Sequence, residues 1–266
     1  MKGIPKAILA LIVLSIGASA AFASASLELV VGNSVNFSTL YVVDNGAVTC
    51  TDVGTSTACT TAVFPPTDSN VKKGAITIAG LTFDGFDITV TTGGSNAPNC
   101  SGLNGPNCLD TTNINATNIS GGTASISAYF ADTGFSPAGL TGLAVGFSTP
   151  GETGMTAVQT AYATSGTLTA PNPLGNGVFN PTGGLATCGT PNLTINAVPI
   201  PGTNIGTNCA APGAPFSLEI GTTFTAAAGQ GFNVNGTISA IPEPASVALF
   251  GSVLVFCASR LRRRKA

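Results

Sequence analysis

The chain has no histidine. Ser–His–Asp and Cys–His nucleophilic catalysis are therefore excluded, and so are zinc sites built on imidazole. Paired carboxylates remain, because glycoside hydrolysis needs only two of them. The best-placed pair is Asp84 and Asp87. Asp84 precedes Gly85 in a turn signal, and Asp87 opens the polar face of a strand, so both read as solvated surface groups. Calcium is a fairer candidate, since it takes oxygen from Asp, Asn and backbone carbonyls. Asp44, Asp52, Asp84 and Asp110 are conceivable ligands, but no D-x-D-x-D-G spacing joins them. No metal site and no cofactor are assigned. Stacking platforms for sugar rings are sparse, because Trp is absent and Tyr41, Tyr129 and Tyr162 are the only tyrosines. That weakens a glycan-directed site. An ice-binding face would need a ladder of regularly spaced threonines. Thr-x-Thr occurs at Thr89/Thr91 and Thr167/Thr169, without a repeat.

Seven cysteines follow a different logic. Cys257 sits in an apolar C-terminal run, where packing suffices to explain it. The other six form three close pairs: Cys50/Cys59, Cys100/Cys108 and Cys188/Cys209. There is no C-x-x-C, which leaves metal and redox roles behind the disulfide reading. Many connectivities are open to six cysteines, and pairing within each close pair is the simplest. Each such bridge would stabilise by roughly 2.5–3.5 kcal/mol in the chain-entropy model. All three pairs lie in Gly/Asn/Thr/Pro-rich stretches, so they would staple loops.

The elements that must position these residues read as β throughout. Leu27, Leu29 and Val31 alternate, and so do Val35 and Phe37. An apolar run at 40–43, the turn Asp44-Asn45-Gly46 and a return at 47–50 predict a hairpin. Ile76 and Ile78 flank Thr77. Phe86, Ile88 and Val90 alternate with Asp87, Thr89 and Thr91, the clearest half-buried strand. Residues 125–130, 143–147 and 155–163 are further candidates. Phe216, Leu218, Ile220 and Phe224 share a period of two, as do Phe232, Val234 and Ile238. Gly, Asn, Thr and Ser interrupt every helical window between the two ends. The expected fold is all-β, a β-sandwich or jelly roll, with a β-solenoid as runner-up but no visible repeat period. Residues 169–215, dense in Pro, Gly and Asn, predict a stapled excursion with a short hairpin at 193–197, tied by Cys188–Cys209.

The two ends differ from this body. Lys2 and Lys6, an apolar stretch at 7–16 and A-x-A patterns between 18 and 25 make residues 1–25 a secretory signal peptide. At the other end, Ile241 precedes Pro242, Glu243 and Pro244. An uncharged apolar run follows at 245–259, and then Arg260, Arg262, Arg263, Arg264 and Lys265. Prolines keep the motif extended, the apolar run suits a helix in lipid, and the basic cluster suits the cytoplasmic side. Fifteen helical residues at about 1.5 Å each reach roughly 22 Å, short of a hydrocarbon core of about 30 Å. A plain single-pass anchor is the alternative to a helix held only until processing.

The order of motif, apolar run and basic cluster resembles the PEP-CTERM sorting signal of Gram-negative bacteria. One departure is Ile241, where that family usually has Val. The stretch from Gly74 through Gly93 also looks like the body of many such proteins, a pattern without an assigned activity. The resemblance implies export across the inner membrane and processing of the tail by a membrane-embedded exosortase. It implies a single-pass state before processing and release to the cell surface or matrix after it.

Subtracting the ends leaves residues 26–240 as one exported β domain, with 241–266 as the sorting signal. This domain holds ten carboxylates and only two cations, Lys72 and Lys73, a net charge of about −8. Without an arginine it is no nucleic-acid module. The main expectation is a non-enzymatic surface or extracellular-matrix protein with exopolysaccharide as a possible partner. The alternative is a ligand-binding β-sandwich module for polysaccharide, calcium or, less so, ice. A carboxylate hydrolase is the third reading.

Overall fold

The computed structural model describes residues 25–33, 35–95, 97, 108–135, 140–148, 155–165, 186–187, 205–209, 213 and 215–242. In chain order the elements are β1 (Ser26–Gly32), β2 (Phe37–Val43), β3 (Val48–Val53), the single-turn α1 (Ala58–Thr61), β4 (Ala75–Ile78), β5 (Leu81–Phe83) and β6 (Phe86–Ser95). They continue with β7 (Leu109–Asn118), β8 (Ala124–Phe135), β9 (Leu140–Ser148), β10 (Met155–Ser165), β11 (Ala186–Thr187), β12 (Ile205–Cys209), β13 (Phe216–Ala226) and β14 (Gly231–Pro242). The first sheet runs β11-β10-β13-β8-β1-β2-β3; the second runs β12-β9-β14-β7-β6-β4, with β5 also on β6. The pairings within both sheets are antiparallel. This is a two-sheet sandwich, the layered solution open to strands with one apolar face.

Side-chain alternation builds the core. Leu27, Leu29 and Val31 of β1, Ile126, Ala128 and Phe130 of β8, and Leu218, Ile220 and Phe224 of β13 point inward from the first sheet and are buried. Ile76, Phe86, Ile88, Ile114, Phe232, Val234 and Ile238 are buried from the second. Phe224 and Phe232 stack across the two sheets at 3.9 Å between centroids, and Phe86 meets Phe232 edge-on at 6.3 Å. Removing one such side chain from water stabilises by roughly 1.5–3 kcal/mol. On β6, Gly93 lets the Phe130 ring cross the interlayer space, since a Cβ there would lie 2.2 Å from the ring.

Turn chemistry closes the hairpins as expected. Asn45 has φ 56° between β2 and β3. Asp84 and Gly85, with φ 47° and 78°, join Phe83 to its partner Phe86 as a two-residue turn. Most predicted strand positions fall inside observed strands, but Val35 lies in the bend before β2 and the return of the first hairpin starts at Val48, not at 47; the sandwich is found where a solenoid was the runner-up. The disulfide Cys50–Cys59 is present, with Cα atoms 5.7 Å apart, tying α1 to β3. Cys108 is also disulfide-bonded, while Cys100 and Cys188 lie outside the described residues. Cys209 closes the backbone of β12. The expected hairpin at 193–197 lies outside the described residues. Its flanks are informative, because β11 pairs with β10 in the first sheet and β12 with β9 in the second. The chain changes sheets between them.

The signal peptide and most of the sorting signal, residues 1–24 and 243–266, lie outside the described residues, and with them the expected C-terminal membrane helix. Among the described residues no helix is long and apolar enough to cross a membrane. The last strand is longer than expected. β14 does not stop at Ala240 but continues with Ile241 opposite Gly142 and Pro242 opposite Leu140, across a register shift. β14 lies between β9 and β7. Pro242 is accommodated because it is the terminal residue of the strand, where a missing N–H breaks no ladder bond.

Candidate functional site

The outward face of the first sheet gathers the groups with binding chemistry. Its geometry follows from register alone. One row crosses β10, β13, β8, β1, β2 and β3 as Thr160, Gly221, Tyr129, Glu28, Tyr41 and Thr49. The adjacent row on the same face reads Tyr162, Glu219, Ala131, Ser26 and Val43. The inward neighbours of these residues are the core residues above, so period two directs this set away from the core. The three tyrosines of the chain thus share one face. Six strands about 4.8 Å apart make a row of about 24 Å.

The tyrosine rings are half-buried. Gly221 is what lets two of them converge. A Cβ at that position would lie 2.8 Å from Cε1 of Tyr129 and 3.8 Å from Cε2 of Tyr162, so both rings rest against bare β13 backbone. Hydroxyl partners fix the phenols. Ser26 is hydrogen-bonded to Tyr41, Ser127 and Thr223 to Tyr129, and Thr160 to Tyr162. Ser127 and Thr223 also join each other at 2.8 Å, and Ser125 joins Thr225 at 2.6 Å. Burial pushes all three phenols above the usual tyrosine range, and the charges of Glu28 (on Tyr41) and Glu219 (on Tyr129 and Tyr162) add to it. They are neutral stacking and hydrogen-bonding groups.

Two carboxyl groups sit among the rings. Glu28 is 2% exposed and lies in register between Tyr129 and Tyr41. Burial alone pushes its carboxyl up to about 7. Glu219 is 0% exposed and lies opposite Tyr162. Two inter-strand spacings and two residues separate them, a Cα distance of about 12 Å. A third buried carboxyl, Asp132, is pushed up to about 6 by burial, against hydrogen bonds from Ser95 and the Thr133 N–H. Its alternation with Tyr129 and Ala131 turns it off this face.

The carboxylates singled out from sequence are not brought together. Asp84 is exposed in its turn, and Asp87 points outward from β6 of the opposite sheet. Asp44 accepts from the Gly74 N–H at 2.7 Å, and Asp52 accepts from the Ser38 hydroxyl and, at 3.0 Å, the Cys59 N–H. Asp110 stands in β7, half-buried. Among the described residues no group of three or more Cys, Asp or Glu is placed to hold a metal ion. Glu243 and Pro244 of the sorting motif, and the basic tail, lie outside the described residues. Sequence reasoning missed Glu28 and Glu219, and counted the tyrosines as sparse when the fold clusters them. A signal was present. Glu28 stands between Leu27 and Leu29, and Glu219 between Leu218 and Ile220, acidic residues inside apolar strands.

Half-buried neutral rings can stack on sugar faces, with Glu28 and Glu219 buried among them. No family model and no curated protein matches the chain. Among solved structures, TmCBM61 in complex with beta-1,4-galactotriose is 12% identical, covering 57% of this chain and 82% of that one, with a TM-score of 0.31. Carbohydrate-binding modules from the beta-sandwich super family, described for promiscuous specificity, are 11% identical, covering 77% of this chain and 73% of theirs, with a TM-score of 0.28. At these TM-scores neither likeness carries an inference about this chain.

Proposed function

We propose that the chain is an exported, non-enzymatic β-sandwich that binds polysaccharide on the outward face of its first sheet. The observation that carries this reading is the gathering of all three tyrosines and two buried carboxyls in two adjacent register rows. Hydroxyl networks hold the rings, and neutral phenols suit stacking on sugar faces. Glycan retention at the cell surface or in the extracellular matrix agrees with an acidic body whose polar surface is Thr, Ser, Asn and Gly.

Delivery, in this proposal, uses the signal peptide at 1–25 and the tail resembling the PEP-CTERM signal. An exosortase would act on Pro242-Glu243-Pro244 while residues 245–259 are held in the inner membrane. Because Pro242 ends a strand interior to its sheet, a sorting test must spare it. Truncation after Pro242 should retain a folded sandwich and abolish delivery to the surface or matrix. Unchanged delivery would remove the sorting reading.

Binding is tested by co-sedimentation of the purified full-length chain with insoluble polysaccharides. Tyr41→Ala and Tyr129→Ala should each weaken retention at least about tenfold, the loss of one stacked ring. Retention unchanged in both variants would refute the site.

A further inference from the structure

The only two cations of residues 26–240, Lys72 and Lys73, are neighbours in the loop that leads into β4. They follow Val71, and all three side chains are exposed. At 92% exposure, Val71 is the most exposed large apolar residue among the described residues. The loop is braced at both feet. The Asp68 carboxylate accepts from the N–H groups of Asn45, Asn70 and Thr77 at 3.2, 2.9 and 2.9 Å. The Asn70 side chain accepts from the Lys72 N–H at 2.9 Å, and Asp44 accepts from the Gly74 N–H at 2.7 Å. Both carboxylates are thus turned onto backbone, while the valine and the lysines are held out. The loop also has a defined place. Backbone bonds cross its end of the sandwich, from the Asp44 N–H to Ala25, from the Ser95 N–H to Gly74 and from the Cys108 N–H to Ile238. Ala25 ends the expected signal peptide, and β14 runs on from Ile238 to Pro242. The loop therefore shares the end from which both targeting segments leave. Ala75 is level with Thr237 through Gly94 and Asp110, three strand spacings or about 14 Å away.

We propose that Val71, Lys72 and Lys73 form a membrane-contact loop, which seats this end of the sandwich on anionic phospholipid headgroups while the tail is held. The proposal rests on the reading that residues 245–259 lie in the inner membrane. Three Cα steps join Pro242 to residue 245, a reach of at most about 11 Å. That tether is comparable with a Debye length of about 8–10 Å, so charges at this end feel the headgroups. A lysine near such a surface contributes about 1 kcal/mol. Seating Val71 among the headgroups also removes an apolar side chain from water. The rest of the domain cannot compete for the contact. It carries ten carboxylates and no other cation, so an anionic surface repels its other faces. The turn at the opposite end, where the Ile119 N–H bonds to Gly85, lies next to Asp84.

The test uses the absence of tryptophan from the chain. Val71→Trp and, at the opposite end, Ile119→Trp each supply a single reporter at an exposed site. The full-length variants are reconstituted into vesicles of phosphatidylethanolamine and phosphatidylglycerol, with or without lipids brominated high on the acyl chains. Bromine should lower the emission of Val71→Trp at least about twofold, because an indole at the contact settles at the interface. Ile119→Trp should stay unquenched. Adding Lys72→Glu and Lys73→Glu to the Val71→Trp chain should restore most of its emission, since attraction to the headgroups becomes repulsion. Far-ultraviolet circular dichroism reports whether each variant is folded, and flotation reports whether it is attached to the vesicles. An unquenched Val71→Trp in a chain that floats overturns the proposal and leaves the membrane-held tail standing. Equal quenching of both tryptophans does the same, because the domain then has no preferred end. Quenching that survives the double lysine reversal also overturns it, because headgroup charge is then not what the loop meets. A chain that does not float with the vesicles removes the membrane-held tail, and the contact with it.

Discussion

Glu28→Gln should stabilise the protein above neutral pH and flatten its pH profile. Burial raises the Glu28 carboxyl from 4.5 to about 7 in the folded state. The folded state therefore binds this proton more tightly than the unfolded chain. The contribution to stability is fully present below about 4.5, declines as pH rises, and is lost above about 7. Each unit corresponds to about 1.4 kcal/mol, so Glu28 costs about 3 kcal/mol at pH 8 relative to pH 4. Gln keeps the shape and cannot ionise. In urea titrations at half-unit steps from about pH 4 to 8, the variant should match or trail the wild type at the acid end. It should then gain steadily to about 3 kcal/mol at the alkaline end, equivalent to roughly 6–12 °C in melting temperature for a domain of this size. Asp132, raised from 3.8 to about 6 by burial, acts in the same direction over a lower window. The variant should therefore keep a slope between about pH 4 and 6 and lose the one between 6 and 7. Parallel wild-type and variant curves across the whole range would refute the burial-raised titration of Glu28.

Three further outcomes follow from the same geometry. Cys59→Ala should cost about 2.5 kcal/mol in urea denaturation, because Cys50–Cys59 closes a short loop, and no difference from reduced wild type should remain in the presence of reductant. Gly221→Ala places a methyl group 2.8 Å from the Tyr129 ring; it should cost about 1–3 kcal/mol and displace the ring, seen as a changed tyrosine near-ultraviolet circular dichroism band. Phe232→Ala removes the ring stacked at 3.9 Å on Phe224 and edge-on to Phe86, and should cost about 3–5 kcal/mol by the same denaturation assay.

Much of the sandwich was legible because strand and turn signals are local. Phe86-Asp87-Ile88 shows its period of two in three residues, and Asp84-Gly85 names its own turn. Asp44-Asn45-Gly46 does the same between β2 and β3. The end of β14 was less legible. Pro242 reads as the start of an extended motif, and only its pairing opposite Leu140 shows that the strand includes it. The site was illegible for a stronger reason. Asp84 and Asp87 drew attention by being near each other in sequence, yet they face solvent from a turn and from the second sheet. Glu28 and Glu219 come from β1 and β13, near opposite ends of the domain in sequence, and share a face because β8 pairs with both.

The amino-acid sequence by itself determined that this chain lacks imidazole chemistry, carries an acidic body between basic ends, and folds as strands with one apolar side each. Those properties reside in residue types and short-range periodicity. Only the tertiary structure decided which acids and which aromatics share a surface. Antiparallel register between distant strands makes that choice, and a shift of one residue in β1 or β13 would have turned Glu28 or Glu219 into the core and scattered the tyrosine face.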